Sequence, residues 1–184
     1  MARYATLVSL LIFSIFSALV IRDILSASDL NGQNLLDFGI LSLNLEYTVN
    51  TGINFGLVGD ESSSRQTKLA TLAILICIAI AAWGIRSAAR WSIVISGLFA
   101  GGGFANALER IFYDGVFDYL NISLIFYENP YSFNLADIYI FVAALLFIFR
   151  PSSTSDAMSV TAHKSTLKFF KITGEIITSN ADRN

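Results

Sequence analysis

The chain alternates between long runs of uncharged, mostly apolar residues and shorter polar segments. Four runs stand out. Tyr4–Ile21 lies between Arg3 and Arg22, Leu69–Ile85 between Lys68 and Arg86, and Trp91–Leu108 follows Arg90. The fourth, Tyr131–Phe149, is interrupted only by Asp137 and stopped by Arg150-Pro151. Crossing a hydrocarbon core of ~30 Å takes about 20 helical residues at ~1.5 Å rise, a length each run reaches once its polar flanks enter the headgroup layers. Lipid cannot satisfy exposed backbone donors and acceptors, so the runs predict helices. The first run has a weakly charged start and no small-x-small cleavage site behind it, so it reads as a retained helix rather than a secretory leader. The expected architecture is an all-α polytopic membrane protein with four transmembrane helices over residues 1–150. A small β element is expected between the first two helices, where Gly39–Val49 alternates partly at period two. Asp60–Ser64 reads as a loop tip. No internal repeat is visible.

Composition sharpens this picture. The 184 residues are 54% hydrophobic and only 14% charged, against about 25% charged in a typical soluble domain. That deficit argues against a water-facing globule and excludes disorder. Twelve basic residues face fourteen acidic ones, a net charge of −2, so no polybasic surface invites nucleic acid. The placement of the bases sets an orientation. Arg86 and Arg90 sit in the tight turn between runs two and three, and Arg150, Lys164, Lys168, Lys171 and Arg183 follow run four. The segments 23–67 and 111–130 carry mainly acids, with little base beyond Arg65. The positive-inside rule therefore puts both termini in the cytoplasm and makes these acidic segments, with the β element, face outward, which in a bacterium means the periplasm. The tail 151–184 is Ser/Thr-rich and expected to be a mobile cytoplasmic extension. Within it, Leu167–Ile172 reads as a stretch able to lie along the inner membrane surface.

Candidate chemistry comes from polar residues at the ends of the runs. The single cysteine, Cys77, is embedded in an apolar run, and the single histidine, His163, lies in the tail. Metal sites and histidine-dependent triads lack their ligands, so no metal or cofactor is expected. Asn106, Glu109 and Arg110 close run three, Asn134 and Asp137 open run four, and Asp118 lies in the connection between them. That connection leaves and re-enters the membrane at one depth, so Asp118 and Asp137 can meet at its outer surface. Two apposed carboxylates share a proton over part of the pH range. Such a pair can hydrolyse a peptide: the ionised member takes a proton from water while the protonated member hydrogen-bonds the scissile carbonyl. Spacing alone leaves other readings open. Asp137 can be a helix-start acid favoured by the dipole, Asp118 a solvated loop acid, and Glu109-Arg110 a structural ion pair. Gly97, Gly101, Gly102 and Gly103 fit close helix packing. Asn121-Ile122-Ser123 matches a glycosylation acceptor, a weak signal.

Three segments together resemble the lipoprotein signal peptidases, also called signal peptidase II. Asn50-Thr51-Gly52-Ile53-Asn54-Phe55-Gly56 resembles that family's N-x-G-x-x-F-[GS] box. Gly101–Arg110, followed by Val116-Phe117-Asp118-Tyr119, resembles its G-G-x-x-G-N-x-x-D-R and V-x-D-F boxes. Phe133-Asn134-Leu135-Ala136-Asp137 resembles its F-N-x-A-D box. Order, spacing and the four-run layout agree over about residues 4–150. The resemblance implies an aspartyl endopeptidase that removes signal peptides from prolipoproteins, cutting just before a cysteine that carries diacylglycerol. Asp118 and Asp137 then fall on the catalytic aspartates. Asn50, Gly52, Asn106, Glu109, Arg110, Asn134 and Ala136 fall on the supporting and substrate-binding shell, and Asp23 on the start of the D-Q-x-x-K box. Diacylglyceryl prolipoproteins and membrane lipid are the implied partners.

The sequence departs from the family pattern at three places. Glu109 stands where aspartate is usual, Ala105 where glycine is usual, and Ala27 where the lysine of the D-Q-x-x-K box is expected. Two rival readings remain at this point. One is a non-catalytic paralogue that binds lipoproteins; the other is a proton- or ion-conducting protein using the two aspartates as relay sites.

Overall fold

The computed structural model describes residues 2–52, 62–87, 89–127 and 129–150. Its elements run α1 (Ala2–Ser26), β1 (Asn34–Asp37), β2 (Leu41–Asn50), α2 (Ser62–Arg86), α3 (Arg90–Tyr113), β3 (Val116–Leu124), β4 (Ser132–Phe133) and α4 (Leu135–Phe149). Much of the box Asn50–Gly56, part of the loop tip at 60–64 and the whole tail 151–184 lie outside the described residues; Ser62–Ser64 already belong to α2.

Three of the four apolar runs form helices of 24 or 25 residues that are long and apolar enough to cross a membrane. The fourth forms a helix of 15 residues, which spans roughly 22 Å at ~1.5 Å per residue, short of a ~30 Å core. It starts at Leu135 rather than Tyr131 because Ser132 and Phe133 are taken by β4.

α3 is the central helix and touches each of the other three. Its glycines explain how. A Cβ on Gly97 or Gly101 would run into Leu10 or Ser14 of α1, one on Gly102 into the Ala136 carbonyl of α4, and one on Gly103 into Cys77 of α2. Each small residue thus admits a different neighbour, the contact that holds helices together where no hydrophobic driving force exists between them. Ala18, Ala105 and Ala136 close the α1–α3–α4 junction. Where the family pattern has glycine, Ala105 is fully buried at that junction.

Arg3 fixes one end of the bundle. Its Nη2 donates to the carbonyls of Gly84, Ser87 and Ala89, tying the start of α1 to the α2–α3 turn. Trp83 and Phe147 meet edge-on near the same end, 5.9 Å between centroids. Arg3, Arg86 and Arg90 therefore lie at the end opposite the sheet.

The β element is larger than expected. It is a four-stranded antiparallel sheet in the order β1-β2-β3-β4, drawn from both the α1–α2 and the α3–α4 connections. The second connection, read from sequence as a loop, supplies the strand that carries Asp118. α3 stops at Asp114, whose φ of 55° is the left-handed conformation that ends helices, and Gly115 turns the chain into β3. β2 and β3 pair from Leu41↔Leu124 to Asn50↔Val116, with Thr48 opposite Asp118. Between Leu45 and Thr48 the register slips by one residue, a bulge beside Asp118. Asn121 is fully buried, donating to the carbonyls of Asn129 and Tyr131, so the glycosylation match is a structural hinge of the β3–β4 turn.

Candidate active site

Asp118 and Asp137 are bridged by Asn134 at the start of α4. Asn134 is the residue before that helix, and its Oδ1 accepts the Asp137 N–H at 3.0 Å. In return Asp137 Oδ2 accepts the Asn134 N–H at 3.2 Å. This reciprocal pair is a capping box, which satisfies helix-start donors that otherwise have no partner. The box fixes the rotamer of Asp137, and the side-chain amide of Asn134 remains free to act outward. It donates to Asp118 Oδ1 at 3.0 Å and to Asn106 Oδ1 at 3.0 Å. Asn106 Nδ2 closes the circuit on Asp137 Oδ1 at 2.8 Å. Asn50 Nδ2 donates to the second Asp118 oxygen at 3.0 Å.

The remaining expected residues divide into those that hold this circuit and one that does not. Gly52 has φ +89°, and its N–H caps Asn50 Oδ1 at 2.9 Å, so the turn after β2 needs glycine and fixes the Asn50 rotamer. Ala136 is buried against α3, where its carbonyl faces Gly102. Glu109 is buried too, and its Oε2 accepts the Phe117 N–H at 2.8 Å, one residue before Asp118. Arg110 lies close enough to Asp118, Asp137 and Glu109 to feel all three charges. Its Nη1 is buried and makes no hydrogen bond among the described residues. Asp23 stands apart: it pairs with Arg22 at 2.9 Å, and its side chain is 62% exposed.

Three contributors were not singled out from sequence. Tyr119 Oη accepts the Leu135 N–H at 3.0 Å, a second cap on α4, and burial pushes its phenol up to about 12. Gln66, fully buried on α2, donates to the Thr51 carbonyl beside Gly52. Arg22 approaches Glu109 Oε2 at 3.7 Å. A polar residue in the first turns of an apolar helix was the available signal for Gln66; for Tyr119 and Arg22 the partners are too distant in sequence to leave one.

The two carboxyls differ in burial. Asp118 is only 2% exposed, and its pKa rises from 3.8 to about 7. Loss of water is the largest cause; the Asn50 amide opposes it, the charges of Asp137 and Glu109 add to it, and the Asn134 amide again opposes it. Asp137 is more accessible. A buried acid that keeps its proton near neutrality beside a more accessible carboxylate can divide the work of an acid and a base. No group of three or more His, Cys, Asp or Glu suited to a metal occurs among the described residues.

Residues 7–151 match the family described as Signal peptidase (SPase) II. A lipoprotein signal peptidase of Rhodopseudomonas palustris (strain ATCC BAA-98 / CGA009) is 30% identical over 142 residues, covering 71% of this chain and 85% of the relative. The enzyme of that name from Aeromonas hydrophila is 29% identical, covering 71% and 84%. The match to one from Methylobacterium sp. (strain 4-46) is 33% identical but spans about half of each protein, 48% of this chain and 53% of the relative. Two solved bacterial membrane enzymes share the fold. The one at 2.3 Å resolution has a TM-score of 0.62 at 22% identity, covering 78% of this chain and 85% of its own. The one at 1.9 Å has a TM-score of 0.64 at 21% identity, covering 80% and 95%. With a family match along most of its length, this chain belongs to the signal peptidase II family, bacterial membrane peptidases that process lipoproteins.

Proposed function

We propose that this chain is an aspartyl endopeptidase of the bacterial inner membrane that removes signal peptides from diacylglyceryl-modified prolipoproteins, with Asp118 and Asp137 as its catalytic pair. The observation that carries this reading is Asn134, whose side chain is bonded at once to Asp118 and to the backbone of Asp137.

In the proposed reaction Asp137 takes a proton from water as the water oxygen attacks the scissile carbonyl carbon. Asp118 gives its proton to the carbonyl oxygen, forming a neutral gem-diol. The diol then collapses: the proton held by Asp137 passes to the departing nitrogen, the C–N bond breaks, and a hydroxyl proton returns to Asp118. The buried, unpaired Nη1 of Arg110 is a donor for a substrate carbonyl flanking the cut. No metal or cofactor enters these steps.

We assign α4 as a fourth span completed by its flanking residues, with the sheet and both aspartates on the periplasmic side and both termini in the cytoplasm. The gathering of Arg3, Arg86 and Arg90 at the opposite end supports that orientation through the positive-inside rule. A substrate anchored by acyl chains leaves the bilayer at ~0.8 kcal/mol per methylene, so the catalytic pair belongs at membrane depth. Residues 1–150 are assigned as the peptidase domain and 151–184 as a cytoplasmic tail. A relay protein would need further titratable groups along the bundle, but no acid lies in α2, in α3 before Glu109, or in α4 after Asp137.

The test is to incubate the purified protein in detergent with a diacylglyceryl-modified prolipoprotein and follow substrate mass. Wild type should release the signal peptide, a cyclic-peptide inhibitor such as globomycin should block it, and Asp118→Asn or Asp137→Asn should each abolish it. Cleavage that persists in either variant removes that aspartate from the mechanism.

A further inference from the structure

Arg22 has no part in the chemistry above, yet its side chain is only 15% exposed. Its guanidinium carbon lies 3.6 Å from the Tyr113 ring centroid and 5.9 Å from that of Phe117. Nη1 pairs with Asp23 Oδ1 at 2.9 Å, and Nε stands 3.7 Å from Glu109 Oε2. Nε makes no hydrogen bond among the described residues, so its link to Glu109 is one of charge.

The same Glu109 oxygen accepts the Phe117 N–H at 2.8 Å. Phe117 immediately precedes Asp118 and is wedged against Tyr47 and Tyr119, at 5.1 and 5.8 Å between centroids. One buried oxygen therefore faces a cation on α1 and the backbone that carries Asp118 on β3. A buried carboxylate without a compensating cation is strongly disfavoured and changes its partners or its protonation. Arg110 is the other cation near Glu109, but it is shared with Asp118 and Asp137. Arg22 has only Glu109 among these three carboxylates.

We propose that Arg22 is a positioning residue for the peptidase reaction: by neutralising Glu109 it keeps the Glu109–Phe117 hydrogen bond in place and so fixes Asp118 against Asp137. The role fits the residue type. A guanidinium is always charged, and its flat face stacks on Tyr113 while its edge meets two carboxylates. Glu109 is one methylene longer than the aspartate usual at its position, and it bridges α1 and β3 at once. The charged groups around Asp118 are Glu109 on α3 and Asp137 on α4, with Arg110 of α3 attracting its ionised form.

The inference rests on the proposed peptidase activity, and its test separates the two. We would measure kcat and KM for diacylglyceryl prolipoprotein across about pH 5 to 9, for wild type, Arg22→Lys, Arg22→Met and Arg22→Met with Glu109→Gln. Arg22→Met should lower kcat roughly tenfold or more with KM within about twofold, because the reacting pair is misplaced while substrate contacts remain. Its alkaline limb should move upward, since the unneutralised Glu109 charge opposes ionisation of Asp118. Arg22→Lys should stay within about threefold of wild type. The double variant should recover at least about threefold over Arg22→Met and restore the limb, because a neutral carboxamide accepts the Phe117 N–H without needing a cation.

Wild-type kcat and pH profile in Arg22→Met overturn the inference, as does a double variant no better than Arg22→Met. Should Arg22→Met fail to fold, the double variant and Arg22→Lys decide: both active supports the inference, either one inactive overturns it. A wild type that cleaves nothing overturns the peptidase reading and takes the inference with it, whereas a cleaving wild type matched by Arg22→Met overturns the inference alone.

Discussion

Asn134 and Asp137 hydrogen-bond each other twice, the side chain of each to the backbone N–H of the other, at 3.0 and 3.2 Å. The helix that delivers Asp137 is thus started by the residue that also grips Asp118. Asn134→Ala removes the cap and the side chain's two other hydrogen bonds, to Asp118 and Asn106, in a single step. We expect kcat to fall about 100-fold, as for a slight misplacement of reacting groups, and thermal stability to drop by about 1 kcal/mol through loss of the cap. Steady-state kinetics and unfolding midpoints in detergent measure both.

The two obvious changes at Asp137 should differ. In Asp137→Asn a carboxamide oxygen still accepts the Asn134 N–H, so the box persists while the base is lost. In Asp137→Ala the box goes as well. Both variants should be inactive, but Ala should unfold about 2–4 °C below Asn, the equivalent of about 1 kcal/mol in a chain of this size. Equal midpoints would dissociate the box from stability.

Asp118 makes activity and stability depend on pH in a defined sense. Its folded pKa of about 7 lies above the ordinary 3.8. The stability it contributes is fully present below pH ~4, where both states hold the proton, and is lost as pH climbs through about 7. Relative to Asp118→Asn, the wild-type unfolding midpoint should therefore fall by several degrees between about pH 4 and 8. Catalysis needs the protonated acid, so the rate should decline above about pH 7. An alkaline limb that stays unchanged when Asp118 is altered conservatively would assign it to another group.

Gly103 faces the Cys77 sulfur so closely that an added Cβ leaves no room. Gly103→Ala should cost about 1–3 kcal/mol through overpacking. Adding Cys77→Ala frees that space and should restore most of the loss, a coupling readable from four unfolding curves. Gly102→Ala meets the Ala136 backbone instead, so the Cys77 change should not rescue it.

Much of the site was legible because its residues sit in short boxes at the ends of apolar runs. The pattern Asn134-Leu135-Ala136-Asp137 at the start of such a run already has the spacing of a capping box. The sheet was legible in part: β2 falls on the partly alternating segment Gly39–Val49, whereas β3 was not, because the buried polar residues Asp118 and Asn121 break the apolar pattern and make it read as a loop. Asp118 sits there because the Asn50 and Asn134 amides satisfy it, a compensation visible only after folding. The length of α4 was misjudged because Tyr131–Phe133 carry no charge and continue the run, and only the pairing of Phe133 with Leu120 and Ser132 with Asn121 withdraws them. Arg22 reads as a helix flank, since its stacking on Tyr113 depends on α1 and α3 lying side by side.

The placement of α3 carries a wider consequence. Because each of the other three helices packs on it, the described helices form one bundle around a shared strut rather than two halves with a waist between them. Its glycines bring the neighbours close: Leu10, Ser14 and Cys77 side chains sit against Gly97, Gly101 and Gly103, and the Ala136 carbonyl against Gly102. For the proposed peptidase, a substrate arriving from the side would then meet the outer helices first, around a central strut that carries part of the polar ring at its tip.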